Sequence, residues 1–133
     1  MLKLTLVTPQ KKLLTDAEVE EIIIPAHSGQ LNILPGHAPL MTTLSAGQIK
    51  IRMKGQSNFK SAAISWGYCE VNTSGVSVLA DTAEWPEEID SARAKAQLDI
   101  AHKRLQAAGL APQDYVEIHK KIQKETARIE TKN

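Results

Sequence analysis

The chain has 133 residues, 42% hydrophobic, 23% charged and only 4% aromatic, so it holds one domain, or a small domain plus an appendage, around an aliphatic core. Its 16 Lys+Arg against 15 Asp+Glu leave a net charge of +1, without the basic excess that a nucleic-acid footprint requires. Cys69 is the single cysteine, which excludes an internal disulfide and any multi-cysteine metal site and reads as a small buried apolar residue.

At the amino terminus, Met1-Leu2-Lys3-Leu4-Thr5-Leu6 has neither the long apolar core of a signal peptide nor the Arg- and Ser-rich character of a transit peptide. No stretch approaches the ~20 apolar residues of a membrane span. The expectation is a chain kept inside a cell or organelle, with no direct membrane insertion. Residues 1–84 then read as a β domain. Leu2, Leu4 and Leu6 alternate with polar neighbours, as do Ile49, Ile51 and Met53. The run Ile22-Ile23-Ile24 predicts a strand buried on both faces. Short strands follow at Ala62–Ser65, Tyr68–Val71 and Val76–Leu79. Turn chemistry falls between them at Ser28-Gly29, Pro35-Gly36, Lys54-Gly55 and Thr73-Ser74-Gly75. Many short strands with no helical period between them predict an antiparallel sandwich of two sheets.

The period changes at Trp85-Pro86, and residues 85–133 predict two helices. Proline suits a first helical turn, and Glu87, Glu88 and Asp90 suit the positive end of the helix dipole. The first helix is expected from Pro86 to about Ala108, with Ile89, Ala92, Ala96 and Ile100 in one apolar row and Leu98, Ala101, Leu105 and Ala108 in another. Gly109 and Pro112 end it, and a second helix starts near Gln113 with Tyr115, Ile118, Ile122 and Ile129 on one stripe. The result is an antiparallel two-helix hairpin. Its many alanines permit close approach but bury little area, so the hairpin is expected to be held weakly and to depend on what it docks against.

The segment Ser28-Gly29-Gln30-Leu31-Asn32-Ile33-Leu34-Pro35-Gly36-His37-Ala38-Pro39-Leu40 resembles the Gly-Glu-x-Gly-Ile-Leu-Pro-Gly-His-x-Pro-Leu signature of ATP synthase epsilon subunits. Val7-Thr8-Pro9, Gly67-Tyr68-Cys69-Glu70-Val71 and Val78-Leu79-Ala80-Asp81-Thr82-Ala83-Glu84 extend the resemblance along nearly the whole chain. It implies a ten-stranded β-sandwich followed by the helical hairpin. It also implies a place in the rotor: the sandwich beside the gamma subunit and on the loops of the c-ring, peripheral on the cytoplasmic face of the cell membrane. By the same resemblance His37 faces the ring, either as a polar contact to it or as a turn histidine bonded locally. Gln30 and Asn32 replace the usual Glu and Gly, which removes the charge that a salt bridge to the ring would use at Gln30.

In several bacterial members the hairpin binds ATP through an Ile/Leu-Asp-x-x-Arg-Ala motif, which Ile89-Asp90-Ser91-Ala92-Arg93-Ala94 matches. Glu84 matches a base-contacting position, and Arg128 matches a phosphate-side arginine. Lys124 replaces another, and Ile100 falls where a further one is expected. Lysine attracts phosphate only as a point charge. A plainer reading makes Asp90 and Arg93 a solvated i, i+3 pair. A regulatory ATP is thus the one ligand the resemblance suggests, and it would act by favouring the folded-back hairpin, by about 2.7 kcal/mol at a hundredfold excess over Kd. The other implied state extends the second helix into the alpha/beta catalytic head, where Lys120, Lys121, Lys124 and Arg128 meet acidic segments and block hydrolysis. A competing reading of that charge run is a solvated face shared with Glu117, Glu125 and Glu130.

No catalytic set is recognisable. His27, His37, His102 and His119 lack metal-ligand spacing, and the serines and carboxylates form no nucleophile–base group. The sequence therefore predicts a non-catalytic subunit. The competing function from another class is a stand-alone ATP-sensing module with no rotor role.

Overall fold

The computed structural model describes residues 2–132; Met1 and Asn133, the outer ends of the two expected units, lie outside the described residues. Seven strands come first: β1 (Leu2–Val7), β2 (Lys12–Ala26), β3 (Gly29–Ile33), β4 (Leu40–Leu44), β5 (Gly47–Met53), β6 (Lys60–Asn72) and β7 (Gly75–Glu84). A 3₁₀ helix, Pro86–Glu88, then leads into α1 (Ser91–Leu105) and α2 (Pro112–Lys132).

The ladders form a closed circuit. β1 pairs with β7, β7 with β6, β6 with β5, β5 with β2, and β2 again with β1. β4 bridges β6 and β2, and β3 pairs with β2 outside the ring. Closure leaves few exposed backbone edges. Inside it the alternation of the sequence is realised: Leu4, Leu6, Ile22, Ile24, Ile49 and Ile51 are fully buried, with Val76 and Val78 closing the floor.

Ten antiparallel strands were expected, and the strand set differs in two ways. Three strands are long, at 15, 13 and 10 residues for β2, β6 and β7, and two of them, β2 and β6, bend without leaving their ladders. Asp16 bends β2 at φ 47°, its amide donating to Thr5 Oγ1 at 3.1 Å. Trp66 and Gly67 bend β6 at φ 36° and 153°. Each bent strand serves different partners with its two parts: β6 pairs with β5 through Lys60–Ile64 and with β4 through Gly67–Val71. The sheet is also mixed, since β1 and β7 are parallel. A parallel pair needs a long crossover, and here the whole intervening β domain supplies it. The Ile22-Ile23-Ile24 run is one-sided as well: Ile22 and Ile24 are in the core and Ile23 is only half-buried.

The hairpin begins later than its composition predicts. Pro86 starts the 3₁₀ turn, Ile89 turns extended (φ −89°, ψ 126°), and α1 starts at Ser91 under an Asp90 cap. The Asp90 Oδ1 accepts the Arg93 amide at 3.0 Å, so one orphan donor of the first turn is satisfied. Gly109 sits at φ 81° in the link, as expected of a left-handed residue there. Asp114 Oδ2 accepts the Ala111 amide at 3.0 Å while the Asp114 amide donates to Ala111 O at 2.9 Å, a reciprocal cap over Pro112. Of the two apolar rows expected on α1, Ala101 is buried with Leu98 and Leu105 half-buried beside it and Ala94 buried next to them, while Ala108 lies exposed beyond the helix end; of the other row only Ile89, ahead of the helix, is buried. Ala92, Ala96 and Ile100 point outward. α2 rests on β5, β6 and the 3₁₀ turn, so the hairpin is folded back on the β domain.

Candidate functional site

A cleft of about 730 Å³ opens where the hairpin meets the β domain. Thr8, Trp66 and Thr82–Glu84 form its β wall, Arg93 and Gln97 its α1 side, and Lys120, Lys121, Lys124, Glu125 and Arg128 its α2 side. The α2 residues recur at three- and four-residue intervals, which puts them on one helix face. The β wall depends on the bend in β6. A Cβ on Gly67 would lie 1.9 Å from the Leu79 carbonyl oxygen, so only glycine lets the strand turn there and present Trp66 to the cleft.

Arg128 is the centre of its charge chemistry. Its Nη2 donates to Glu84 Oε2 at 3.2 Å, and its Nη1 donates to the two Glu125 oxygens at 3.0 and 3.4 Å. Nε lies 2.9 Å from Glu84 Oε1 without the alignment of a hydrogen bond, so that contact is an ion pair alone. Burial works to lower the guanidinium pKa, but the Glu84 and Glu125 charges outweigh it and the net shift is upward. Glu84 ends β7 and Arg128 belongs to α2, so this contact ties the hairpin to the β domain. The Lys132 ammonium donates to Pro86 O at 2.9 Å, Lys11 pairs with Glu88, and Lys60 sits 4.1 Å from the centre of the Trp85 ring.

Six cationic side chains and three carboxylates line the cleft. All three carboxylates are engaged, Glu88 by Lys11 and Glu84 and Glu125 by Arg128. Among the described residues, Arg93, Lys120, Lys121 and Lys124 form no ion pair, and Lys120 stands 5.5 Å from the centre of the Trp66 ring. The cleft thus carries a surplus of unpaired positive charge beside an aromatic surface.

Of the residues the sequence singled out for nucleotide, Glu84, Arg93, Lys124 and Arg128 meet in this cleft. Ile89 and Ala94 are instead buried packing residues, and Asp90 spends its carboxylate on the helix cap. That cap also replaces the solvated Asp90–Arg93 side-chain pair. Glu125, which the competing reading of the charge run put on a solvated face, is buried at 5% exposure. Its three-residue spacing to Arg128 was visible, but its burial follows from docking of α2, which no local pattern encodes. Trp66 and Lys120 were likewise not paired by sequence reasoning.

The two residues that the resemblance assigns to a ring-facing loop, Gln30 and His37, do not come together. Gln30 lies exposed near the start of β3, opposite Pro25, while His37 follows that strand's far end. His37 Nδ1 bonds its neighbour's Ala38 O at 2.7 Å, the locally bonded turn histidine. His37 lines a second cleft of about 580 Å³ with Lys3, Pro39 and Asn72–Gly75.

A family model described as the β-sandwich domain of the ATP synthase delta/epsilon chain matches residues 1–86. An ATP synthase epsilon chain of Bdellovibrio bacteriovorus is 44% identical over 97% of this chain and 92% of its own length. That of Geobacter metallireducens is 46% identical over 85% of this chain and 78% of its own. A chain in the mitochondrial ATP synthase of Euglena gracilis, solved with OSCP, F1 and c-ring, has the same fold at TM-score 0.84 and 23% identity, over 97% of this chain and 79% of that one.

Proposed function

Because the chain belongs to the family of ATP synthase epsilon chains, we propose that it works as a central-stalk subunit whose β domain holds gamma and the c-ring loops, while its hairpin regulates hydrolysis. The observation that supports this reading best is a 44% identical epsilon chain that matches along 97% of this chain, hairpin included. In the relatives the epsilon chain is a subunit of the ATP synthase assembly, so no chemistry is asked of this chain. No helix among the described residues is long and apolar enough to cross a membrane. Attachment to the cytoplasmic face through the complex is part of the proposal.

In the β domain, Leu34-Pro35-Gly36-His37-Ala38-Pro39-Leu40 suits a stiff contact to the ring. Two prolines restrict the loop, and Gly36 takes φ 84°. Gln30 brings no charge to that face. In the hairpin, the cleft with Arg93, Lys124 and Arg128 is the proposed site for a regulatory ATP: Arg93 and the lysines attract the phosphates, and Trp66 or the Glu84 end takes the base. Ile89, Asp90 and Ala94 serve that site indirectly, by seating and capping the helix that carries Arg93. A ligand held there favours the folded-back hairpin, since it bridges α1, α2 and the β domain. The released hairpin is the form that would enter the alpha/beta head.

Reconstitution tests the stalk role. The chain should co-elute with a gamma-containing catalytic head at micromolar concentration, and a chain ending at Glu84 should bind equally while hydrolysis rises. Failure of the full chain to co-elute would leave the stand-alone ATP-sensing module as the better reading. Calorimetry with ATP, comparing the chain with Arg93→Ala, tests the nucleotide site: loss of the heat signal supports it, and identical titrations sink it.

A further inference from the structure

Arg128 and Arg93 are the two cations in the cleft whose planar fork can make a bidentate contact, and both faces of Arg128 are occupied. Glu84 reaches across from β7, and this link crosses between hairpin and β domain. Glu125 comes from the same helix, three residues earlier, and spends both oxygens on the single Nη1. One carboxylate is enough to neutralise a guanidinium. The second adds nothing to the crossing, is 5% exposed, and leaves the trio with an excess negative charge at the wall of a cleft otherwise rich in free cations. A polyanion entering the cleft meets Arg93, Lys120, Lys121 and Lys124 unopposed, but it reaches the Nη1 of Arg128 by displacing Glu125.

We infer that Glu125 is an internal stand-in for a ligand phosphate: it occupies Arg128 in the absence of nucleotide and sets the affinity of the cleft for nucleoside polyphosphates. The inference rests on the nucleotide reading of the cleft and assigns a residue that limits its strength. Glu125 is a determinant of affinity and not a ligand contact. Removing its charge frees Nη1, a donor whose charge-assisted bonds to phosphate are strong, and withdraws a repulsive carboxylate. The competition is with phosphate alone, so a ligand without phosphates is indifferent to it.

The test is calorimetry of the full chain with ATP, inorganic tripolyphosphate and adenosine, on the parent, Glu125→Gln and Glu125→Ala, with thermal melts to show that each variant is folded. The expected result is a gain of about tenfold or more for ATP and tripolyphosphate in both variants, with adenosine unchanged. The gain should vanish in Glu125→Gln combined with Arg128→Lys, which keeps the charge and removes the fork. A parent that binds ATP as tightly as both variants overturns the inference and leaves the nucleotide site standing. A gain that adenosine shares also overturns it, since that marks a structural change in the cleft. Absence of binding in parent and variants alike overturns both readings. A silent parent beside binding variants supports both.

Discussion

The β domain and the hairpin are held by different physics. In the β domain a closed circuit of ladders encloses large aliphatic side chains, Leu4, Leu6, Ile22, Ile24, Ile49 and Ile51 among them, each without solvent exposure. Burying a side chain of that kind contributes roughly 1.5–3 kcal/mol apiece. In α1, by contrast, the buried side chains are the alanines Ala94 and Ala101, and the polar contacts of α2 with the β domain are the Arg128–Glu84 pair and a lysine–tryptophan stack. A core of one kind unfolds cooperatively, whereas a polar seam can open alone. The difference separates a rigid body from an appendage that ionic and ligand effects can move.

The sharpest way to break the β side is at its bend. Gly67→Ala puts a Cβ against the Leu79 carbonyl and should cost about 4 kcal/mol, read as a lower denaturation midpoint with the hairpin still helical by circular dichroism only if the β domain survives. Next comes the buried thiol. Burial pushes Cys69 from 9.0 up to about 12, so as pH rises the unfolded chain gives up its proton first. Stability is intact below pH 9.0, falls by about 1.4 kcal/mol per pH unit above it, and levels off near pH 12. Cys69→Ala should flatten that slope in denaturant titrations at pH 9 to 11; an unchanged slope would place the alkaline loss elsewhere. A third effect lies on the seam. Arg128→Ala strands Glu84 and Glu125 and should weaken docking by about 2 kcal/mol, seen as faster hydrogen exchange in α2 with the β strands unaffected. Arg128 itself stays charged through the alkaline range, because its shift is upward. The smallest effect is Lys60→Ala, which removes the contact to Trp85 and should cost under ~1 kcal/mol in the same exchange measurement. If the Arg128 and Lys60 changes slowed or sped exchange throughout the β domain as well, the two regions would be one cooperative unit and the contrast would fail.

Local periodicity made much of this legible. Leu2, Leu4 and Leu6, or Ile49 and Ile51, declare strand and inward face by alternation alone, and Trp85-Pro86 marks the change of period. What periodicity could not show was continuity. Asp16 and the Trp66-Gly67 pair bend strands without ending them, and the parallel β1–β7 pairing joins residues more than seventy positions apart. The outward row of Ala92, Ala96 and Ile100 has the same spacing as the inward one, and only the docking of α2 distinguishes them. The resemblance singled out Glu84, Arg93, Lys124 and Arg128, which the fold brings to one cleft, but the occupancy of Arg128 was not legible. A carboxylate three residues from an arginine looks the same on paper whether it faces water or a packed seam.

The parallel pairing of β1 and β7 has a mechanical side. Their ladder joins Leu4 to Val76 and Val7 to Leu79, while β7 runs on to Glu84, so the chain enters the β domain at one end of that ladder and leaves for the hairpin at the other. Tension between the amino terminus and the hairpin therefore loads these hydrogen bonds in shear, all together, instead of peeling them one at a time. A body built this way yields abruptly at a high force, and the hairpin, pulled through the same exit, comes away first.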